Sequence, residues 1–336
     1  MASKPPRSDP ERPKARRPRS ARGPGRSAEP AGAAAASLRD VLPRERWFGG
    51  KTRTIAGVEA LDQVAISGTS GNLAIFEVAY VDGARERYVV PYLSGSAGAP
   101  FRDAMDDPAF CAALVEQIRV GASLPGLRGT FRFTATGVLE HLLPAPARDV
   151  VRVETEQSNT SVIYARAAIL KLFRRLAPGP NPELEITDFL TRQTDFRGAP
   201  RLAGSFVYET GDDAMTLGVL QEFVENHGDA WTVLQARLVD YYAAAEGATR
   251  GGEPDPAFAR ALAAADAKEA RRLGALTGDL HMALASAPPG SPLAPEPIDG
   301  RDLVAWRERM RSQLDRVMGR LTAALVELPP EVREGA

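Results

Sequence analysis

Apolar and polar residues alternate with a period of two through much of the first two thirds of the chain. "DQVAISG" (62–68), "NLAIFEVAYVDG" (72–83) and "ERYVVPYLSG" (86–95) read as strands, with Asp82-Gly83 as a hairpin signal. The period lengthens to that of a helix at "DPAFCAALVEQIRVG", where Asp107 is placed to cap the start and Gly121 to stop the end. "GTFRFTATGVL" returns to strand. "VVRVETEQ", "SVIYARA" and "AILKLFRRL" follow as three short strands. "NPELEITDFLTRQT" is then helical, with Asn181 as cap and Pro182 at the first position, where its missing N–H costs nothing. "RLAGSFVYE" and "AMTLGVLQEFV" form a hairpin across "TGDDA".

Beyond Asp229 the pattern is helical throughout: "AWTVLQARLVDYYAAAE", an alanine-rich helix from about Pro256 to Ser286, and "DLVAWRERMRSQLDRVMGRLTAALVEL" after a proline-rich loop. Residues 1–36 have no apolar periodicity and carry the basic run Lys14, Arg16, Arg17, Arg19. They are expected to be disordered, because they bury too little surface to offset their ordering entropy. The expected organisation is a tail (1–36), a small α+β unit (37–149), a second α+β unit (150–225) and a helical region (226–336). The fold class is α+β.

Composition narrows the function. The net charge of −1 gives no global attraction to nucleic acid. No apolar run reaches the roughly 20 residues of a bilayer span. Cys111 is the sole cysteine, which fits a reducing, cytoplasmic setting and excludes an internal disulfide. His141, His227 and His281 are far apart, so a zinc site is not expected.

Three strands, a helix and two strands is the order of a protein-kinase-like N-lobe. That lobe needs a lysine on its third strand facing the α/β-phosphates, held by a glutamate on the next helix. Lys171 sits in the apolar run "AILKLF" and needs a partner. Glu185 is the expected one, with Glu183 as the alternative. The turn that covers the phosphates falls at "QSNTS", where Ser158, Asn159 and Thr160 supply small donors in place of glycines. At the end of the last strand, the Glu222 C=O and Val224 N–H are candidates to read adenine.

These stretches resemble the maltokinase family, which also occurs fused to trehalose synthase. "LPRERWFGGKTR" and "YVVPYL" are similar to its N-terminal cap. "EQSNTSVIY", "AILKLFRRLAPGPNPELEITDFL" and "VLQEFVENHGDAW" are similar to its nucleotide lobe. The resemblance implies a protein-kinase-like fold behind a cap subdomain. It also implies ATP and Mg²⁺ as cofactors, and phosphoryl transfer to the anomeric hydroxyl of maltose for α-glucan synthesis. Association with trehalose synthase is implied in the same way, and no nucleic-acid or membrane partner.

Two stretches imitate a catalytic loop, which needs an Asp, an Asn soon after and a second metal-binding Asp on a later strand. "HGDAW" follows the hinge strand directly and has no Asn, so Asp229 is expected to be a helix cap. "TGDLHMAL" has Leu284 where Asn is needed, and prolines fill the stretch before "IDG" at 298–300. Leu273, Leu276, Leu280 and Leu284 recur at helical spacing, so this segment is expected to be a core-packed helix. Asp279 remains the alternative base. The resemblance stops before a catalytic base and metal ligands, so the chain is expected to be an incomplete maltokinase. The alternative is a pseudokinase-like module that binds a nucleotide or a partner without chemistry.

Overall fold

In the computed structural model the described residues are 29–95, 100–153, 158–211, 213–226, 228–248, 257, 260–261 and 263–325. Two antiparallel sheets dominate. The first runs β1 (Ile55–Ala65), β2 (Gly71–Tyr80), β3 (Arg85–Val89) and β10 (Arg175–Leu176), with β4 (Tyr92–Leu93) also on β2. The second has the order β5 (Ser123–Pro125), β6 (Thr130–Ala135), β11 (Leu202–Thr210), β12 (Asp213–Glu222), β9 (Ala168–Leu172), β8 (Thr160–Tyr164), β7 (Val150–Val153).

Strands from either side of the boundary expected at 149/150 pair with one another. β6 lies beside β11, from Gly204 opposite Ala135 to Glu209 opposite Thr130. In the other direction, β10 leaves the second unit and pairs with β3, Arg175 opposite Tyr88. The two units exchange strands, which a period-two pattern cannot reveal because it reports faces and not neighbours.

Alternation along β2 explains how the layers join. Leu73 and Ile75 point into the main core, with Phe110, Leu114 and Ile118 of helix α2 (Pro108–Arg119) and Leu170 and Leu172 of β9. Ala74, Phe76 and Val78 point the other way, onto Leu38, Leu42, Trp47 and Phe48. Asp107 caps α2 by accepting the Ala109 N–H at 2.9 Å, as expected. Gly121, at φ +60°, ends it in the left-handed conformation that favours glycine.

The expected disorder of 1–36 is corrected at its end. Helix α1 (Glu29–Val41) includes the alanine run, and Ala34 and Ala35 are buried against the first sheet. Alanine lacks the bulk that makes an amphipathic stripe legible, but it is the best helix former and allows close packing. Residues 1–28 lie outside the described residues.

A short helix α3 (Val138–Leu142) precedes β7. Helix α4 (Pro182–Gln193) covers the second sheet near β11. Asn181 caps it by accepting the Glu183 N–H at 2.8 Å, with proline at the first position as expected. Helices α5 (Ala230–Ala248), α6 (Ala264–Ala285) and α7 (Gly300–Ala324) follow. Leu280, Ala283 and Leu284 of α6 pack with Phe189 and Leu190 of α4. Leu273 and Leu276 are exposed, which corrects the expectation that all four leucines of this stripe are core. None of the described residues of α7 is buried. No helix among the described residues is long and apolar enough to cross a membrane.

Candidate nucleotide site

Lys171 is the penultimate residue of β9, opposite Ser161 of β8 and Val219 of β12. Its neighbours Leu170 and Leu172 face the main core, while Phe173 packs with Leu202, Val219 and Leu184. The ammonium therefore emerges on the α4 side of the sheet. Its Nζ lies 2.8 Å from Glu183 Oε1, with both side chains about one-third exposed. Lys171 thus pairs with Glu183 and not with the expected Glu185, whose backbone N–H donates to the Asn181 carbonyl at 3.0 Å. The reason is local. Asn181 sets the helix start so that Glu183, in the first turn, faces the strand, where a carboxylate is also favoured by the helix dipole.

The turn between β7 and β8 is described from Ser158 onward, and Gln157 lies outside the described residues. Ser158 is exposed and Asn159 half-buried. Thr160 opens β8 and is buried, with Oγ1 accepting a bond from Arg174 Nε at 2.8 Å. At the end of β12, the Glu222 carboxylate accepts from Arg201 Nε at 3.1 Å. Its backbone N–H donates to the Arg201 carbonyl, and the Phe223 N–H to that of Ala167. Val224 follows, exposed, where the chain leaves the sheet. Lys171, the turn and the Glu222–Val224 segment thus belong to adjacent strands of one sheet.

Sequence reasoning missed Arg174. Its side chain is fully buried, Nη2 meets Asp103 Oδ2 at 2.5 Å, and the guanidinium carbon lies 4.7 Å from the Trp47 ring centroid. Burial pulls its pKa below the usual arginine value, and Asp103 opposes that pull. The signal was present: Leu170, Leu172 and Arg174 share a parity along one extended run, so the arginine falls on the core face.

The two catalytic lookalikes are not brought together. Asp229 accepts the Thr232 N–H at 2.6 Å at the start of α5, the cap role expected of it, and this bond holds its carboxyl below the usual range. Asp279 lies exposed on α6, on an open groove between α4 and α6 that Arg192, Phe196 and Leu276 also line. Among the described residues, no three His, Cys, Asp or Glu side chains converge as a metal site.

Comparison with known proteins agrees with this architecture. Residues 42–117 match the maltokinase N-terminal cap domain. A glucosamine kinase of Mycolicibacterium smegmatis (strain ATCC 700084 / mc(2)155) is 30% identical over 163 residues, 48% of this chain and 35% of that protein. A structure of glucosamine kinase in complex with glucosamine, ADP and inorganic phosphate superposes with a TM-score of 0.53 at 21% identity, covering 90% of this chain and 60% of that one. A second glucosamine kinase structure, crystal form A, gives 0.52 at 22% identity with the same coverage. The chain thus spans 35% of the length of the curated relative and 60% of the length of these solved ones. Residues 42–117 thus match a cap of the maltokinase type, in a chain whose fold is similar to that of these glucosamine kinase structures.

Proposed function

We propose that these residues form the ATP-binding portion of a sugar phosphotransferase whose acceptor is maltose. The observation that carries the reading is the Lys171–Glu183 pair, a strand lysine held by the first turn of the next helix, within a kinase-like lobe. In this reading the Lys171 ammonium neutralises the α/β-phosphates, and Glu183 holds it in place. Ser158, Asn159 and the backbone of Thr160 cover the phosphates, and the Glu222 C=O and Val224 N–H read the adenine edge. Maltose as acceptor is favoured by the cap match over 42–117. Glucosamine is the second reading, favoured by the relative of that name.

In the transfer, the acceptor hydroxyl oxygen bonds to the γ-phosphorus. The bond from that phosphorus to the β,γ-bridging oxygen breaks, ADP leaves, and the hydroxyl proton passes to a base. Mg²⁺ supplies charge neutralisation across the β- and γ-phosphates in such reactions. The described residues contain no carboxylate set that fits it, so no step is assigned through it here. The role of these residues is to bind and orient the nucleotide, and Asp279 has no part in it.

Calorimetric titration of the whole chain with ADP tests the reading. Saturable binding of one nucleotide per chain is expected, and its absence would remove the proposal. Adding maltose or glucosamine to the ADP-bound chain separates the acceptors: the correct sugar gives a second binding heat and the other gives none.

A further inference from the structure

We infer that Arg174 is a positioning residue through which the cap sets the phosphate-covering turn, so that the cap governs affinity for the nucleotide's phosphates. The inference rests on the nucleotide reading above and adds a role for the cap.

Arg174 touches three segments at once. Nε donates to Thr160 Oγ1 at 2.8 Å, the last residue of the candidate turn. Nη2 meets Asp103 Oδ2 at 2.5 Å, and Asp103 itself caps the short 3₁₀ helix 104–106 by accepting the Met105 N–H at 2.9 Å. The guanidinium also sits over Trp47, of the cap stretch "RWFGG". Thr160, Asp103 and Trp47 are far apart in sequence, and Arg174 is the group they share.

Stability gives a weak reason for this arrangement. A buried ion pair carries a desolvation cost that can exceed its attraction, and an apolar pair of similar volume is often as stable or more so. Here the cost is enlarged, because Nη1 and Trp47 Nε1 are buried with no hydrogen-bond partner among the described residues. What the pair does supply is geometry. A guanidinium is a planar fork with fixed donor directions. It fixes the Thr160 side chain relative to two cap segments, and with it the start of β8 and the adjoining Ser158 and Asn159. Arg174 lies on the core face of the sheet and Lys171 on the α4 face, so its influence on phosphates is indirect.

The test compares ADP with adenosine, which lacks phosphates, by titration of the whole chain. Asp103→Asn keeps the helix cap and removes the charge that orients Arg174. Arg174→Met/Asp103→Asn removes the buried charges together, so neither is left unpaired. Both variants are expected to bind ADP about tenfold more weakly, the loss of one charge-assisted bond's worth of ordering. Adenosine affinity should stay within about twofold, and Arg174→Lys should recover part of the ADP loss. A merely structural role would lower both affinities together, and that result overturns the inference. Unchanged ADP affinity in Asp103→Asn also overturns it, even if the double variant fails to fold. If the unaltered chain binds no ADP, the nucleotide reading itself is lost.

Discussion

Lys171 and Glu183 meet across the gap between β9 and α4, Nζ to Oε1 at 2.8 Å, two residues before the glutamate the sequence pattern favours. On the nucleotide reading, Glu183→Gln should weaken ADP binding about fivefold, from loss of the charge that holds the ammonium, while Glu185→Gln should change it by less than about twofold. Titration of the two variants side by side checks this. A larger loss in Glu185→Gln would mean that the bound state repairs Lys171 to the other glutamate.

The element pattern was legible where one face of a strand or helix is apolar. Asp107, Gly121 and Asn181 set the ends of α2 and the start of α4, because capping chemistry is local. Strand neighbours were not legible. Nothing in "GTFRFTATGVL" tells that Phe133 will face Phe206, which comes from far along the chain. The choice between Glu183 and Glu185 turned on helix phase, set by the cap, which spacing alone leaves open. Arg174 was readable by parity, but charge in a short run is usually taken for surface.

A second prediction concerns Asp62, buried in β1. Its carboxylate accepts five bonds: from the N–H groups of Gln63, Leu127, Arg128 and Gly129, and from the Tyr208 hydroxyl at 2.7 Å. It therefore pins the β5–β6 turn and β11 to the first sheet. Asp62→Asn turns one acceptor into a donor facing N–H groups. Urea unfolding should show a loss of about 2–4 kcal/mol. A loss under about 0.5 kcal/mol would show that this junction matters little.

Cys111 gives a pH-dependent prediction. It is buried in α2, and burial, aided by Asp103 and Asp107, pushes its thiol up to about 12. An acid whose pKa is raised on folding favours the native state below its unfolded pKa. That contribution is full below about 8.5 and is lost as pH rises from there toward the native value. Iodoacetamide at pH 8 should therefore leave the native thiol unmodified and label it in urea. Labelling of the native chain at the rate of a free thiol would contradict the packing of α2.

The helical region should open before the sheets. Trp231, Leu238 and Tyr242 of α5 and Leu303, Leu314 and Val317 of α7 are exposed. Each such side chain forgoes about 1.5–3 kcal/mol that full burial would supply. Limited proteolysis should cut within 230–325 first and leave a resistant piece containing both sheets. First cuts inside β8, β9 or β12 would reverse this order.

The central claim is that these residues bind ATP through Lys171, and calorimetric titration of the chain and its Lys171→Met variant with ATP tests it most directly. Saturable binding to the chain, weakened at least about tenfold by the substitution, is the predicted result. No binding to the chain, or equal binding to both, would contradict it.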